Sequence, residues 1–312
     1  MTDSGVELPE GFETTTCPLC GEPEGRVVVR RTDLNLAHQG TFTVCRCARC
    51  GHHYLNPRPL PEVMSRFYQG DYDQHQAPQT RNRLARADRG YGHRKRLRLI
   101  ERHIPGGVLV DVGSGAGGFV AEVAARPQWR AIAVEPNAEA ASACARAGAE
   151  VVRARWEEAS LPDESADVVT LWEVLEHLYD PGWAVAEAYR VLRPGGLLAL
   201  STPNRGSLDA RLFGPYWVGY ELPRHLNVFR QDALADLLRS RGFRVVQVTA
   251  PAGAFFAFNT SLRFWLRSRR APGWMEIAIF SLPLRLAEAP FFWVLGRLRL
   301  VSSLTTLAVR EG

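Results

Sequence analysis

The stretch "LVDVGSGAGGFV", from Leu109 to Val120, constrains the fold of this chain more than any other feature. An apolar strand runs into a turn with glycines at positions 113, 115 and 118, which is the G-x-G-x-x-G spacing of nucleotide-binding βαβ units. Glycine lets the strand turn sharply and lets the next helix pack close to it. The triplet alone does not identify the ligand, because different nucleotides can use the same turn.

Strand and helix patterns alternate from Val108 onward. Apolar strands are predicted at 108–112, 131–135, 151–153, 167–171, 197–201, 243–248 and 303–309. This alternation predicts an α/β fold with a doubly wound, seven-stranded parallel sheet and helices on both faces. An apolar stretch with helical patterns, residues 252–300, is inserted before the last strand.

The composition divides the chain into four segments. We predict a flexible tail at 1–13, a compact cysteine-containing unit at 14–56, a helical linker or lid at 57–104, and the α/β domain at 105–312. The first residues are polar and acidic and lack the basic start and apolar core of a signal peptide. This favours the cytoplasm, where cysteines stay reduced and more often bind metal or lie buried than form disulfides.

Four of the six cysteines form the pattern C-x-x-C…C-x-x-C, and a glycine follows each pair. Four thiolates at this spacing can surround one zinc ion tetrahedrally and leave no open position, so we expect a structural zinc ribbon. Because a unit of this size buries little core, the metal would supply much of its folding energy. Cys45 and Cys144 are expected to be a bystander and a core residue, and His52 and His53 to be solvated. The predicted zinc ligands are Cys17, Cys20, Cys47 and Cys50.

Of two carboxylates near the glycine turn, Asp111 narrows the choice of nucleotide, whereas Glu135 indicates a nucleoside without choosing between the candidates. Asp111 lies two residues before Gly113, where a carboxylate would repel the pyrophosphate of a dinucleotide. It suits S-adenosylmethionine, which carries a sulfonium and an α-ammonium group and no phosphate. Glu135 ends the second strand and is placed to accept hydrogen bonds from ribose hydroxyls.

The motifs "DVGSGAGGF", "AVEP", "ADVVTLWEVLEHL" and "VLRPGGLLALSTPN" occur in this order at the predicted strand ends. As a set they resemble class I S-adenosylmethionine-dependent methyltransferases from Val108 to the C-terminus. The resemblance implies a Rossmann-like sheet. Arg155 stands where the family often has an acid that reaches the adenine, so that contact is expected from the backbone of Trp156 instead. The cofactor residues that the resemblance implies are Asp111, Gly113, Gly115, Glu135, Trp172 and Glu173.

With the cysteine unit included, the chain resembles bacterial zinc-ribbon methyltransferases that act on sugars, lipid-linked glycans and natural products. The resemblance implies O- or C-methylation of a small-molecule, sugar or lipid-linked acceptor. An RNA methyltransferase whose ribbon binds RNA is an alternative, but no N/D-P-P-Y/F motif follows the fourth strand, so a nucleic-acid partner is not expected. A catalytically inactive binding protein is a further alternative, although the glycine turn and its acids are intact.

Several polar residues follow the strand ends and are candidates for removing a proton from the acceptor. His177 comes after the fourth strand and is the first candidate base, with a helix-capping role as the alternative. Glu221 and His225 lie in "FGPYWVGYELPRHLNVF", which resembles the segment that serves the active site in zinc-containing sugar methyltransferases. Tyr68 and Tyr72 could close the site from the N-terminal helices or pack between them.

The insertion at 255–300 is rich in Phe, Trp and Leu and carries seven arginines. Pro283, Arg285, Glu288 and Pro290 interrupt its most apolar part, which argues against a membrane-spanning helix. We expect an amphipathic helix pair that lies peripherally on the inner face of the membrane. The alternatives are a cap on the sheet or a homodimer interface.

Overall fold

A computed structural model describes residues 8–68, 83–250 and 254–312 of the chain. The strands are β1 (Phe12–Glu13), β2 (Gly25–Arg31), β3 (Phe42–Cys47), β4 (His53–Leu55), β5 (Arg58–Pro59), β6 (Gly107–Val112), β7 (Trp129–Val134), β8 (Glu150–Val152), β9 (Ala166–Trp172), β10 (Leu192–Pro203), β11 (Asn227–Val228), β12 (Phe243–Thr249) and β13 (Ser303–Arg310). The helices are α1 (Pro61–Met64), α2 (Arg83–Glu101), α3 (Gly118–Ala124), α4 (Ala138–Arg146), α5 (Pro181–Val191), α6 (Leu208–Phe213), α7 (Gln231–Ser240), α8 (Ala254–Ser268), α9 (Gly273–Ala278) and α10 (Leu282–Arg297).

The central sheet has seven strands in the order β12-β13-β10-β9-β6-β7-β8. Strands β8, β7, β6, β9 and β10 are parallel, and β13 runs antiparallel to both of its neighbours. This confirms the predicted doubly wound α/β fold, but the sheet is mixed and not wholly parallel as predicted, because β13 follows β12 as an antiparallel neighbour. The chain reverses its winding between β6 and β9, and ligands of such sheets bind beyond the carboxyl ends of the strands at that point.

Both faces of the sheet are covered, which explains why its strands are almost continuously apolar. Alternate residues of β6 enter different cores, with Val110 on one face and Leu109 on the other. Both side chains are almost completely buried. The sheet is therefore a rigid support for the loops at its carboxyl edge.

The cysteine unit is not closed within its own segment. Its sheet has the order β11-β4-β3-β2, so its outermost strand comes from residues 227–228 of the α/β domain. Within the segment assigned to the tail, Phe12 and Glu13 pair with β5. The ribbon is thus built into the α/β domain.

The insertion before the last strand forms α8, α9 and α10. Their packing buries one side of α8, where Asn259 donates a hydrogen bond of 2.7 Å to the carbonyl of Ile279. Among the residues that the structure describes, no helix combines the length and the apolar character needed to cross a membrane.

Candidate active site and cysteine cluster

The glycine turn after β6 requires glycine for steric reasons. Gly113 has a φ of +67°, and a Cβ there would lie 2.7 Å from Cγ2 of Val174. Gly115 also has a positive φ, of +51°. The loop after β9, which contains Val174, therefore lies directly against the turn, and a side chain at position 113 would have to displace it.

Asp111 is the penultimate residue of β6 and is buried. Its Oδ1 accepts a hydrogen bond from Oγ1 of Thr170 on the neighbouring strand β9. Burial raises the pKa of Asp111 to about 7, although the Thr170 hydrogen bond acts in the opposite direction. A cation beside this carboxyl would stabilise its charged form. The position therefore fits the α-ammonium group of S-adenosylmethionine.

Glu135 lies directly after β7, and its side chain reaches the backbone of the glycine turn. Its Oε2 accepts the backbone N–H of Gly115 at 2.8 Å, and its Oε1 accepts that of Asn137 at 2.9 Å. These bonds fix the carboxylate at the edge of the sheet, and each oxygen retains a further lone pair for a ligand hydroxyl.

Trp172 and Glu173 lie at the carboxyl end of β9. The Trp172 ring packs against Phe119 at 5.4 Å, and the guanidinium of Arg96 lies 4.7 Å from its centroid. Glu173 has a φ of +55°, and its Oε1 accepts a hydrogen bond of 2.8 Å from Ser303. A left-handed conformation at a residue other than glycine is typical of functional sites.

Trp156 begins a short 3-10 helix after β8. Its ring is buried in the core, and its Nε1 donates a hydrogen bond of 3.2 Å to the carbonyl of Ala184. The Trp156 ring is therefore not available to a ligand, and the contact of its backbone with a nucleoside stays a prediction.

A second polar cluster lies beside the glycine turn. His177 is in a 3-10 helix after β9, whereas Glu221 and His225 are in the loop after α6. The rings of His177 and His225 are 4.7 Å apart, and Nε2 of His225 is 3.5 Å from Oε2 of Glu221. The fold thus brings together the three candidates that the sequence analysis selected from two segments.

Hydrogen bonds define the protonation of the two histidines. Nδ1 of His177 lies 3.0 Å from the Arg224 carbonyl and 3.0 Å from the Tyr68 hydroxyl, and Nδ1 of His225 lies 2.8 Å from the Gly219 carbonyl. Because a carbonyl only accepts, both Nδ1 atoms carry the proton and both Nε2 atoms have a free lone pair. Burial lowers the pKa of His177 to about 3 and that of His225 to about 4, so both rings are neutral at neutral pH.

Glu176 is fully buried next to His177. Burial and the charge of Glu173 raise the pKa of this carboxyl well above its usual range. One carboxylate oxygen of Glu176 and one ring nitrogen of each histidine lie within 4.8 Å of one another. The cluster is therefore a compact group of titratable side chains just beyond the carboxyl end of β9, in which burial favours the protonated form of Glu176.

The sequence analysis missed three residues that the structure places around this site. Arg96 contacts Trp172, and Arg224 forms buried ion pairs with Asp33 and Glu221. Arg224 lies between Glu221 and His225 in the sequence, so its spacing from Glu221 could have indicated a role at this site. No feature of the sequence indicates such a role for Asp33. Tyr72 lies outside the described residues, and its role stays a prediction.

The four cysteines of the two knuckles converge. Their Sγ atoms all lie within 4.8 Å of one another, with Cys17 and Cys50 3.5 Å apart and Cys20 and Cys47 also 3.5 Å apart. Two sulfurs bound tetrahedrally to one zinc ion are about 3.8 Å apart, so the cluster fits a zinc ribbon. The glycines that follow the knuckles, Gly21 and Gly51, have φ angles of +72° and +71°.

The expectation that His52 and His53 are solvated is wrong. Both are buried, and Nε2 of His52 lies 3.1 Å from Oδ1 of Asn227. The reason is the strand pairing of β4 with β11, which covers these residues with a segment far away in the sequence. Cys144 is a core residue, as expected.

The doubly wound sheet and its glycine turn define a protein of the class I methyltransferase type. The chain belongs to the methyltransferase domain family, whose family model matches residues 79–248. A probable S-adenosylmethionine-dependent methyltransferase of Mycobacterium tuberculosis is 37% identical over 138 residues, which is 43% of this chain and 48% of the relative. A ubiquinone biosynthesis O-methyltransferase of Methylococcus capsulatus is 35% identical over 126 residues, 38% of this chain and 52% of the relative. The chain therefore spans about half the length of these curated relatives.

Solved structures share the fold. The 1,6-didemethyltoxoflavin-N1-methyltransferase of Burkholderia thailandensis, with its substrate and S-adenosylhomocysteine bound, has a TM-score of 0.52 and 16% identity and covers 85% of this chain and 98% of its own. The phosphoethanolamine N-methyltransferase 2 of Haemonchus contortus has a TM-score of 0.51 and 14% identity, over 83% of this chain and 63% of its own.

Proposed function

We propose that this chain transfers the methyl group of S-adenosylmethionine to a hydroxyl or an enolisable carbon of a small-molecule, sugar or lipid-linked glycan acceptor. One observation carries the proposal. The loop after β9 links the two halves of the site, because its Val174 lies against Gly113 of the glycine turn and its His177 lies against His225. A methyl donor and a group of proton acceptors are then neighbours at one edge of the sheet.

The cofactor supplies an electrophilic methyl group at its sulfonium. On this proposal Asp111 binds the α-ammonium group, Glu135 the ribose hydroxyls, and the backbone of Trp156 the adenine. Trp172 and Glu173 line the methionine end. The glycines at positions 113 and 115 keep the turn free of side chains, so that the cofactor can approach the backbone.

The chemistry of the acceptor requires that a proton leaves while the methyl group arrives. Nε2 of His225 and Oε2 of Glu221 are two acceptors 3.5 Å apart that face each other. An acceptor hydroxyl within hydrogen-bond distance of both atoms could give its proton to either of them. We propose His225, His177 and Glu221 as the residues that bind and deprotonate the acceptor, with Tyr72 as a further candidate.

Small-molecule acceptors are favoured by the names of the relatives. They include methyltransferases for ubiquinone biosynthesis, for a toxoflavin precursor and for phosphoethanolamine. The decisive experiment is a screen of the purified chain with labelled methyl donor against sugar nucleotides, lipid-linked glycans and RNA. Label in a sugar or lipid fraction supports the proposal, whereas label in RNA alone contradicts it.

We also propose that Cys17, Cys20, Cys47 and Cys50 hold a structural zinc ion. Metal analysis should find about one zinc per chain, and the double change Cys47→Ser with Cys50→Ser should remove it and unfold the ribbon, because thiolate ligands supply the folding energy of small zinc units. Cys45→Ser is the matched control, since Cys45 lies two residues before the knuckle and its Sγ is 3.9 Å from the Asn56 carbonyl. A folded, metal-free protein would contradict the proposal.

We propose that the helical insertion docks on an anionic membrane interface. Every exposed side chain of α10 between Leu282 and Val294 is apolar, and Trp274 and Ile277 of α9 are 67% and 77% exposed. An exposed apolar surface of this extent marks a docking site. We call it the insertion surface; it consists of Trp274, Ile277, Leu282, Leu286 and Trp293.

The positive charge of the insertion supports an anionic membrane as the occupant. Residues 254–300 contain seven arginines and two glutamates, so this segment alone has a net charge of +5, which equals that of the whole chain. Arg267, Arg269 and Arg270 are exposed at the end of α8, and Arg297 at the end of α10. Aromatic side chains beside arginines suit insertion among anionic headgroups, where each cation contributes about 1 kcal/mol.

Liposome flotation tests the docking. The protein should float with anionic vesicles at low salt and less at high salt, because salt screens the arginine contribution. Trp274→Ser combined with Trp293→Ser should abolish flotation, whereas Val27→Ser, which removes a 62% exposed apolar side chain from the ribbon, should not. If the protein does not float and forms a stable dimer that buries the insertion surface, the occupant of this surface is a second copy of the chain and not a membrane.

A further inference from the structure

Arg224 is a fully buried arginine in the loop that carries Glu221 and His225. A guanidinium stays charged at all physiological pH values, so its burial requires acidic partners and hydrogen-bond acceptors. Arg224 has such acidic and hydrogen-bonding partners on several sides. Its side chain contacts Asp33, Glu221 and the carbonyl of Phe67, and its own carbonyl accepts the Nδ1–H of His177.

Asp33 belongs to the ribbon, in the loop between β2 and β3, and is also buried. It receives Arg224 with both carboxylate oxygens, at 2.8 Å and 3.1 Å. The backbone N–H groups of Asn35 and Leu36 donate to Oδ1 at 2.9 Å and 3.2 Å. These backbone bonds of the ribbon loop therefore fix the carboxylate of Asp33 independently of its ion pair with Arg224.

The other side of Arg224 faces the proposed acceptor site. Its Nε lies 3.2 Å from Oε1 of Glu221, whose second oxygen, Oε2, faces His225. Glu221 has a φ of +32°, a conformation that the surrounding contacts must maintain. Through the Arg224 carbonyl the same residue also sets the ring orientation of His177.

A second contact joins the ribbon to this loop independently of Arg224. The guanidinium of Arg31, at the end of β2, donates to the carbonyls of Pro215 and Trp217 and lies 5.7 Å from the ring centroid of Tyr220. Two charged residues of the ribbon that lie two positions apart, Arg31 and Asp33, thus contact the loop 214–226.

We infer that the ribbon is a working part of the acceptor site, and that Asp33, acting through Arg224, is a positioning residue for Glu221 and His177. The inference rests on the proposed function for its kinetic consequence. Asp33 binds the two terminal nitrogens of the Arg224 guanidinium and so fixes its orientation. The Nε–H of Arg224 then points at Glu221 on the other side. Without Asp33 the guanidinium has one strong acceptor fewer, and Glu221 loses its fixed position relative to His225.

Asp33→Asn tests this in two ways. Hydrogen exchange measured by mass spectrometry needs no substrate: peptides covering 217–226 should exchange about tenfold faster or more, because the loop loses its buried ion pair, while peptides of the glycine turn stay unchanged. Turnover should fall by about 10²-fold with little change in cofactor affinity, as for other misplaced reacting groups. Glu22→Gln is the matched control, since it breaks the exposed ribbon ion pair with Arg49.

A double-mutant cycle separates positioning from general damage to the fold. In a Glu221→Gln background, Asp33→Asn should lower turnover by clearly less than the loss of about 10²-fold expected in the wild-type background, because the part of its effect that passes through the Glu221 carboxylate is already lost. Losses that multiply, or an Asp33→Asn variant with unchanged exchange and turnover, overturn the inference. If Asp33→Asn does not fold, Asp33→Glu keeps the charge and should change exchange and turnover in the same direction by less. If the wild type methylates no acceptor, the proposed function fails, and the exchange experiment still decides whether Asp33 holds the loop.

Discussion

Replacing Gly113 with arginine should abolish the binding of S-adenosylmethionine to this chain. The residue has a φ of +67°, a conformation that side chains rarely adopt, and its Cβ would lie 2.7 Å from Cγ2 of Val174. The new guanidinium would also place a positive charge where Asp111 is proposed to receive the α-ammonium group. Calorimetry of the wild type and the variant with the cofactor or its demethylated product measures the effect.

Gly195 provides the matched control for this experiment. Its φ is +77°, and an added Cβ would meet no atom within 4 Å. Gly195→Arg therefore introduces comparable backbone strain without a clash, and it should leave cofactor binding intact. Tight binding of NAD by the wild type, with no binding of S-adenosylmethionine, would contradict the proposed cofactor.

Replacing the residue that removes the proton should slow methyl transfer by about 10²-fold or more while cofactor binding stays nearly intact. His225→Ala and His177→Ala are the two variants to compare. The pKa of each histidine is lowered by burial, so each keeps its Nε2 lone pair until the pH falls through about 4 for His225 and about 3 for His177. Turnover should therefore not be lost through protonation of these rings near neutral pH.

The controls for this comparison separate catalysis from folding. His103→Ala removes an exposed histidine whose Nε2 lies 3.3 Å from Oε1 of Gln247, and it should leave turnover unchanged. His225→Asn keeps a polar side chain in the buried position and should show the same loss as His225→Ala if the ring is the base. If neither histidine variant slows turnover, Glu221→Gln becomes the test of the remaining acceptor.

The local features of the site could be predicted from the sequence. Asp111 and the glycine turn lie within one strand and one turn, and Glu135 follows the next strand, so their placement depends only on the alternation of strands and helices. Parallel strands end at one edge of the sheet, which makes such residues neighbours wherever the fold is of this class. The paired cysteine knuckles are likewise local, and their convergence follows from the hairpin between β2 and β3.

The burial of the two ribbon histidines could not be predicted in this way. The sequence analysis placed His52 and His53 in solvent. The strand that covers them, β11, is supplied by residues 227–228, about 175 positions later in the chain. Only the pairing of strands across the two units decides which side of the ribbon is exposed.

What the sequence by itself determined about this protein is the class of its fold and the chemistry of its local motifs. Hydrophobic periodicity and the glycine turn depend on neighbours within a few residues, and these act in the same way in any chain. What only the tertiary structure decided is the second half of the site. Arg224 and Asp33 are 191 positions apart, and a buried guanidinium takes its partner from whichever segment the packed fold brings within hydrogen-bond distance. A charged residue in a loop gives no sign of burial in the sequence, because burial results from the packing of distant elements.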